Sequence, residues 1–415
     1  MVLSVVIVNY NVKYFLEQCL CSVEKALQEA GGAGGGPGAG HLASETEIIV
    51  VDNNSRDGSV EYLRSRFPGV RFIVNEDNKG FSRANNQALE EAGGKYILFL
   101  NPDTIVPEGG IHSCISFLEL TPGAGALGVR MVDGSGRFLK ESFRGFPTPW
   151  AAFCKLTGLT ALFPHSRWLA RYYLGHLPEN KNHPAPVLSG AFFLVSRAVL
   201  DLTGGFDERF FMYAEDIDLS YRIEQAGYTN YYLADVTILH FKGESTLKDM
   251  RYVRLFYKAM SQFRRKHFTG AFHTLFNSLM DIAIWCRAGI AATGHIIVLA
   301  AGGEKKGASV PVGKGDPAKG NTAAGGYRTW IEGDPLAVRE TKAVLKSFPE
   351  RALESDRQLA NEVIFCQGRG FSFRQVIDAL QKFHPGISCK VHAGGTSSAV
   401  GSDSGDSKGQ VLVLE

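Results

Sequence analysis

Four short apolar runs in the first hundred residues each end in a cluster of Asn and Asp, and that repetition constrains the fold more than any other feature of this chain. Val5–Val8 runs into Asn9-Tyr10-Asn11, and Ile48–Val51 into Asp52-Asn53-Asn54-Ser55. Phe72–Val74 runs into Asn75-Glu76-Asp77-Asn78-Lys79-Gly80, and Tyr96–Leu100 into Asn101-Pro102-Asp103. Between them apolar residues recur at helical spacing, with Phe15, Leu16, Cys19, Leu20, Val23 and Leu27 on one face and Val60, Leu63 and Phe67 on another. Strand and helix in alternation predict an α/β unit with a parallel sheet covered on both faces. Ligands of such sheets gather beyond the carboxyl ends of the strands, where the polar clusters fall.

Length and charge bound the rest. A chain of 415 residues, 45% apolar and 21% charged, suits about two folded units. Lys and Arg number 44 against 42 Asp and Glu, a formal charge of +2 that argues against bulk electrostatic binding of nucleic acid. The seven cysteines form no CxxC pair and no zinc-ligand spacing, which reads as reduced thiols in a cytoplasmic protein. Met1–Val8 is apolar but lacks a basic leader and a cleavage site, so it reads as a buried strand.

Gly31–Gly40 matches no phosphate-binding fingerprint and reads as a surface insertion. Beyond Leu100 the pattern predicts a helix near Ile111–Leu120, a strand near Ala126–Met131 and an irregular stretch to about Ala185. Strands follow at Val187–Ser196 and Tyr231–Leu233, with a helix at Asp216–Gln225. A catalytic unit is thus expected over 1–246. Residues 247–301 are first basic and aromatic (Arg251, Arg254, Lys258, Arg264, Arg265, Lys266, His267), then apolar. That order fits peripheral attachment to an anionic membrane, at its cytoplasmic face, or else a helical segment packed on the catalytic core. Residues 302–326 form a Gly/Lys/Pro-rich linker. Residues 327–415 read as a small α/β unit, with helices near Pro335–Phe348 and Ser372–Phe383 and strands at Glu362–Phe365, Ser388–His392 and Gln410–Leu414.

Four polar strand ends side by side describe a pocket suited to a nucleotide diphosphate. One carboxylate can accept from a base N–H or ribose hydroxyls, and another can hold a divalent cation against the diphosphate. The same residue types also cap helices and shape turns, the simpler account of Asn53, Ser55 and Asp57. Asn78–Asn86 opens a helix, where Gly80 permits close backbone approach and Lys79 and Arg83 can face a phosphate or the base. In Gly204–Arg222, Glu215, Asp216 and Asp218 crowd behind aromatics. Closely spaced acids against apolar walls can set one of them as a base, although a helix N-terminus also attracts acids.

The runs VVIVNYN, VVDNNSRDGS, NKGFSRANNQAL, FLNPDT, SGAFFLVSR, GGFDERFFMYAEDIDLSYR and HFKGEST together resemble the family 2 glycosyltransferases, in particular their rhamnosyltransferase-like branch. The likeness covers about residues 1–265. It implies a GT-A type, Rossmann-like, mostly parallel sheet flanked by helices, and inverting transfer of a sugar from a UDP- or dTDP-sugar to a glycan or lipid-linked acceptor. By that likeness Asp52 binds the base and ribose, Asp103 and His240 hold Mg²⁺ or Mn²⁺, and Asn101 stands where the first acid of the metal motif would be. Asp216, with Glu215 beside it, is the general base. Asn9, Tyr10, Asn11, Asn54, Asn78, Lys79, Gly80, Arg83, Gly190 and Arg222 complete the nucleotide-sugar pocket. The final unit resembles part of the Rossmann-like module of polyprenyl-phosphate sugar transferases, though its usual first strand and Gly-rich turn are hard to find. A nucleotidyltransferase would need a Gly-rich basic loop where Asn9-Tyr10-Asn11-Val12-Lys13 stands, and a non-catalytic binding module would not need Glu215-Asp216.

Overall fold

The computed structural model describes residues 1–28, 41–241, 250–268, 327–348, 351–355, 357–382, 387–402 and 409–414. Gly31–Gly40, the apolar stretch 271–301, the linker 302–326 and the turn after Phe241 lie outside the described residues. The first hundred residues fold as β1 (Leu3–Asn9), α1 (Lys13–Gln28), α2 (His41–Ser44), β2 (Thr46–Asp52), α3 (Ser59–Arg66), β3 (Val70–Val74), α4 (Phe81–Glu91) and β4 (Tyr96–Leu100). Then come β5 (Thr104–Ile105), α5 (Gly110–Leu120), β6 (Ala124–Val132), β7 (Phe143–Arg144), α6 (Pro149–Leu156) and α7 (Leu159–Leu162). They are followed by β8 (His183–Pro184), β9 (Val187–Leu188), β10 (Phe192–Ser196), α8 (Arg197–Thr203), α9 (Glu215–Gln225), β11 (Thr229–His240) and α10 (Met250–His267).

The main sheet runs β3-β2-β1-β4-β10-β6-β11-β5, with β8 on β11. Strands β3, β2, β1 and β4 are parallel. Strand β10 is antiparallel to both β4 and β6, and β5 is antiparallel to β11, so the sheet is mixed. Alternate residues enter two separate cores, as period-two strands buried on both faces must. Leu3, Val5 and Ile7 of β1 pack with α1, α3 and α5. Val6 and Val8 pack on the other face, with α4, α8 and α9.

The expected single strand Val187–Ser196 is broken in two. Strand β9 pairs with β7, whereas β10 pairs with β4 and β6. Between them Ser189-Gly190-Ala191 turns, and Asn101 N donates to Ala191 O at 3.0 Å. The turn therefore lies against the end of β4.

A second sheet follows the order β13-β12-β14-β15-β16-β17, comprising β12 (Tyr327–Gly333), β13 (Arg351–Leu353), β14 (Glu362–Gln367), β15 (Ser388–Ala393), β16 (Ser398–Gly401) and β17 (Gln410–Val413). Its helices are α11 (Pro335–Leu345) and α12 (Phe373–Leu380). Strand β12 is the first strand that the pattern concealed. Only Thr329 and Ile331 of it are fully buried, so no apolar run announces it. At its end Asp334 accepts from Leu336 N, Ala337 N and Gly370 N, so the switch point between β12 and β14 is filled by the chain's own carboxylate.

The two sheets share a core. Phe15 of α1, Ile105, Val132, Leu239 and Phe241 pack with Phe365, Phe373, Ile377, Val391 and Val400. The N-terminus of α12 takes an anion from the first unit: Glu108 accepts from Phe373 N at 2.7 Å and Arg374 N at 2.8 Å. Gln18 of α1 is buried between them, accepting from Ala393 N at 2.7 Å and donating to Ser398 O and Thr396 Oγ1. Gln18→Leu leaves the buried Ala393 amide unpaired, while Ser398 O keeps His392 Nδ1 at 2.8 Å, so urea unfolding should show a loss of about 1–3 kcal/mol. An unchanged midpoint would mean that these bonds do not tie the units together.

Candidate active site

The parallel register sets Asn9 opposite Asp52. Asn9 Nδ2 donates to Asp52 Oδ1 at 2.7 Å and Ser55 Oγ at 3.1 Å, and Ser55 N donates to Asp52 Oδ2 at 2.9 Å. Both side chains are buried, yet among the described residues Asn9 Oδ1 has no hydrogen-bond partner. An unpaired acceptor beside a buried carboxylate matches the imide N–H or hydroxyl of a ligand. Asn11 and Asn54 take left-handed backbone conformations at φ 56° and 67°. Asn11 Oδ1 accepts from Arg56 N at 2.7 Å, so Asn11 joins the first two loops instead of facing a pocket. Ser55 and Asp57 do the same, accepting from Asn11 N and Lys13 N. Tyr10 is half-buried at the same edge.

The loop before α4 is organised by amides. Asn53 donates to Asn78 Oδ1 and Gly80 O while accepting from Asn75 Nδ2 and Lys79 N. Gly80 does permit a close approach, but to protein. A Cβ there would come within 2.6 Å of the Phe211 ring, and Phe81 N donates to Phe211 O. The close approach at Gly80 is thus taken by the 206–211 segment, which Ser82 and Asn86 also hold. Lys79 is half-buried, and Arg83 is exposed 3.9 Å from Glu208.

Beyond β4 the site continues with Asp103, which is buried with its Oδ1 at 3.4 Å from His240 Nε2. Asn101 Nδ2 lies 3.4 Å from the same ring nitrogen. Pairing of β11 with β5 sets His240 opposite Thr104, and Phe241 N donates to Asp103 O at 3.0 Å. An oxygen and a nitrogen 3.4 Å apart can both reach one divalent cation at bond lengths of about 2.0–2.2 Å. Among the described residues no group of three or more His, Cys, Asp or Glu could hold a metal. Two protein donors fit a cation that takes its remaining ligands from phosphate oxygens and water, as Mg²⁺ sites commonly do.

The acids of Glu215-Asp216-Ile217-Asp218 divide by function. Tyr213 and Ala214 precede them in left-handed conformations, φ 73° and 66°, a strain of about 1–3 kcal/mol each that clusters at functional sites. That kink starts α9 so that Asp216 Oδ2 accepts from Gly190 N at 3.2 Å and Arg144 Nη2 at 2.5 Å. Asp216 therefore lies on the turn that abuts Asn101. Glu215 is buried with Oε2 unpaired among the described residues, and burial together with the neighbouring Asp216 charge pushes its carboxyl up to about 8. Arg144 was not anticipated. It comes from a two-residue strand in the stretch read as irregular, and no spacing signals its pairing 72 positions away.

Asp218 faces the other way. Fully buried, it accepts from Arg222 Nε, Lys266 Nζ and His267 Nε2 at 2.6–2.8 Å. Burial would raise its carboxyl, but these partners hold it below the usual range. Arg222 also donates to the carbonyls of Thr203, Gly204 and Gly205. The expectation that Arg222 binds the nucleotide sugar is corrected: it caps the C-terminus of α8. Gly204-Gly205 is explained likewise, by φ 75° at Gly204 and by a Cβ at Gly205 that would reach Asn86 at 2.6 Å. The basic end of α10 takes the second of its two expected arrangements. Phe263 and Ala259 pack with Phe210, Ala214 and Ile217, Arg264 is buried, and Lys266 bonds Asp207 and Asp218, so this end packs on the core.

The profile of the family described as "Glycosyl transferase family 2" matches residues 4–203. The chain is 30% identical over 261 residues to the N-acetylglucosaminyl-diphospho-decaprenol L-rhamnosyltransferase of Mycobacterium tuberculosis, covering 60% of this chain and 78% of that relative. It is 26% identical over 207 residues to rhamnosyltransferase WbbL of Escherichia coli, covering 46% and 72%. Among solved structures it is similar to mannosyltransferase PcManGT from Pyrobaculum calidifontis, solved with GDP-Man and Mn²⁺, at 18% identity and a TM-score of 0.43 over 72% of this chain and 80% of that one.

Glu215 generates a pH prediction. Its folded value lies above its ordinary one near 4.5, so between about 4.5 and about 8 the folded chain binds more protons than the unfolded one. Its contribution to stability is present below pH 4.5 and is lost as pH rises through 8. Glu215→Gln should flatten that part of the profile, read as the wild-type minus variant difference in melting temperature from pH 5 to 8. A difference that does not change with pH contradicts a buried neutral Glu215.

Proposed function

This chain belongs to glycosyl transferase family 2, and on that premise we propose that it transfers a hexosyl group, with inversion, from a UDP- or dTDP-sugar to a hydroxyl of a lipid-linked glycan in cell-surface polysaccharide assembly. As a member it is a glycosyltransferase that uses a nucleotide sugar. The observation that carries the finer reading is the convergence of Asn9–Asp52, Asn101–Asp103–His240 and Gly190–Asp216 at neighbouring strand ends of one sheet. The relatives named as rhamnosyltransferases support a rhamnosyl group, and one of them is named for a polyprenyl-diphosphate-linked N-acetylglucosamine acceptor.

In this reading Asp52 and Asn9 take the base and ribose, using the unpaired Asn9 Oδ1. Asp103 and His240 would hold a Mg²⁺ or Mn²⁺ ion, which neutralises charge on the diphosphate oxygens when bound. In the same reading Lys79 and Arg83 would meet the diphosphate, and Tyr10 and Asn54 would border the base. The acceptor oxygen attacks the anomeric carbon from the face opposite the diphosphate. The C–O bond to phosphate breaks, the nucleoside diphosphate leaves, and the acceptor proton passes to Asp216. Arg144 and Gly190 fix the Asp216 carboxylate in place for that step. A neutral Glu215 keeps a second negative charge away from the base and the departing diphosphate. An acceptor on a lipid places the reaction at a membrane surface; among the described residues no helix is long and apolar enough to cross one.

Asp216→Asn should lower transfer by about 10²–10⁴-fold while the donor's dissociation constant stays nearly unchanged. Transfer from a radiolabelled nucleotide sugar and calorimetric binding read the two quantities. A fully active variant removes Asp216 from the role of base. Screening nucleotide sugars by thermal shift with Mn²⁺ or Mg²⁺ should single out the true donor, because a selective ligand stabilises the fold by mass action.

A further inference from the structure

We propose that α6, α7 and the turn that follows them form a membrane-contacting surface for an anionic lipid bilayer, beside the acceptor side of Asp216. Large apolar side chains are exposed here in a cluster: Trp150, Phe153, Leu162, Phe163 and Trp168, with Leu162 at 72% and Trp168 at 73%. They are held in a built platform. Trp150 stacks on Phe153 at 5.6 Å between ring centroids, and its Nε1 donates to Trp168 O at 2.9 Å. Thr160 Oγ1 donates to Leu169 O at 2.9 Å, and Thr148 caps α6 ahead of Pro149. Exposed apolar patches with a defined backbone mark contact sites.

Charge selects the occupant. From Ser142 to Pro178 the chain contains no Asp or Glu, and its charged residues are Arg144, Lys155, Arg167 and Arg171. Arg144 is consumed by Asp216, while Arg167 and Arg171 are exposed beside Trp168. Lys155 lies over the Tyr172 ring at 4.4 Å. Tryptophan and phenylalanine among cations, with acids excluded, match the headgroup region of an anionic bilayer, where aromatic rings bury and basic side chains meet phosphate.

The same segment reaches the reaction centre. Gly145 N donates to Tyr172 O at 2.8 Å, and the adjacent Arg144 holds Asp216. A surface seated on the headgroups thus brings Asp216 toward a sugar carried on a lipid diphosphate. The inference rests on the lipid-linked acceptor for its purpose, but bare vesicles test it without any transfer step.

The test is co-sedimentation of the full chain with phosphatidylglycerol/phosphatidylcholine vesicles and with vesicles of phosphatidylcholine alone. The wild type should bind the anionic vesicles, and added salt should weaken that binding. Leu162→Ala with Phe163→Ala and Trp168→Ala should lower it by about tenfold or more, as should Arg167→Glu with Arg171→Glu. Unchanged melting temperatures show that the variants fold. If either variant misfolds, quenching of Trp168 fluorescence by brominated lipid, read as wild type minus Trp168→Phe, replaces it. No binding by the wild type overturns the proposal, as does equal binding by folded variants or unquenched Trp168. A wild-type dimer that these substitutions split, without vesicle binding, assigns the surface to a second copy of the chain and overturns it too. Vesicle binding that fails while transfer to a soluble acceptor persists leaves the transferase reading intact.

Discussion

The site depends on the parallel register of β2, β1 and β4. Each strand sends alternate residues into two different cores, so a slip of one residue would exchange the two sets: Val5 and Ile7 for Val6 and Val8, Leu98 and Leu100 for Ile97 and Phe99. Two apolar cores therefore fix where each strand ends. With β1 and β2 in register, Asn9 and Asp52 stand side by side, and with β1 and β4 in register, Asn101 follows on the next strand. The polar residues need no force of their own to gather. Apolar packing delivers them.

The other half of the site is held by different means. Strand β10 inserts antiparallel beside β4 and places its preceding turn against Asn101, which lets Gly190 N bond Asp216. Helix α9 is pinned from behind by Asp218, whose buried carboxylate gathers Arg222, Lys266 and His267. A buried charge costs heavily unless paired, and this one is fully paired, so the helix that carries Asp216 is anchored at its first turn. The strand end that carries His240 is backed by the second sheet. Phe241 is buried against Phe15 in the shared core, and Ser402 Oγ donates to Phe241 O at 3.3 Å.

Much of this was legible in the sequence, for reasons that can be named. Short β-branched runs ending in Asn or Asp signal both the strand and its carboxyl end, so the β1–β4 half and the positions of Asp52 and Asp103 could be read directly. Asp216 stood out through its acidic neighbours. Arg144 left no trace, because a two-residue strand has no periodicity and its partner is distant in sequence. Arg222 and Gly204-Gly205 were legible as residues but not in their roles. Each serves the backbone or Asp218, a demand that appears only once α8, α9 and α10 are packed. Strand β12 was missed because one face of it is only half-buried.

In the proposed function one pocket binds a base beside β2 and a metal-bound diphosphate beside β4. The most direct measurement is calorimetric titration of Asp52→Ala and Asp103→Ala with the nucleoside monophosphate and diphosphate of the donor, with and without Mn²⁺. Asp52→Ala should weaken both ligands whether or not metal is present. Asp103→Ala should weaken only the diphosphate, and only when Mn²⁺ is added. If the two substitutions act alike on both ligands, or if neither changes binding, the proposed division of the pocket is wrong.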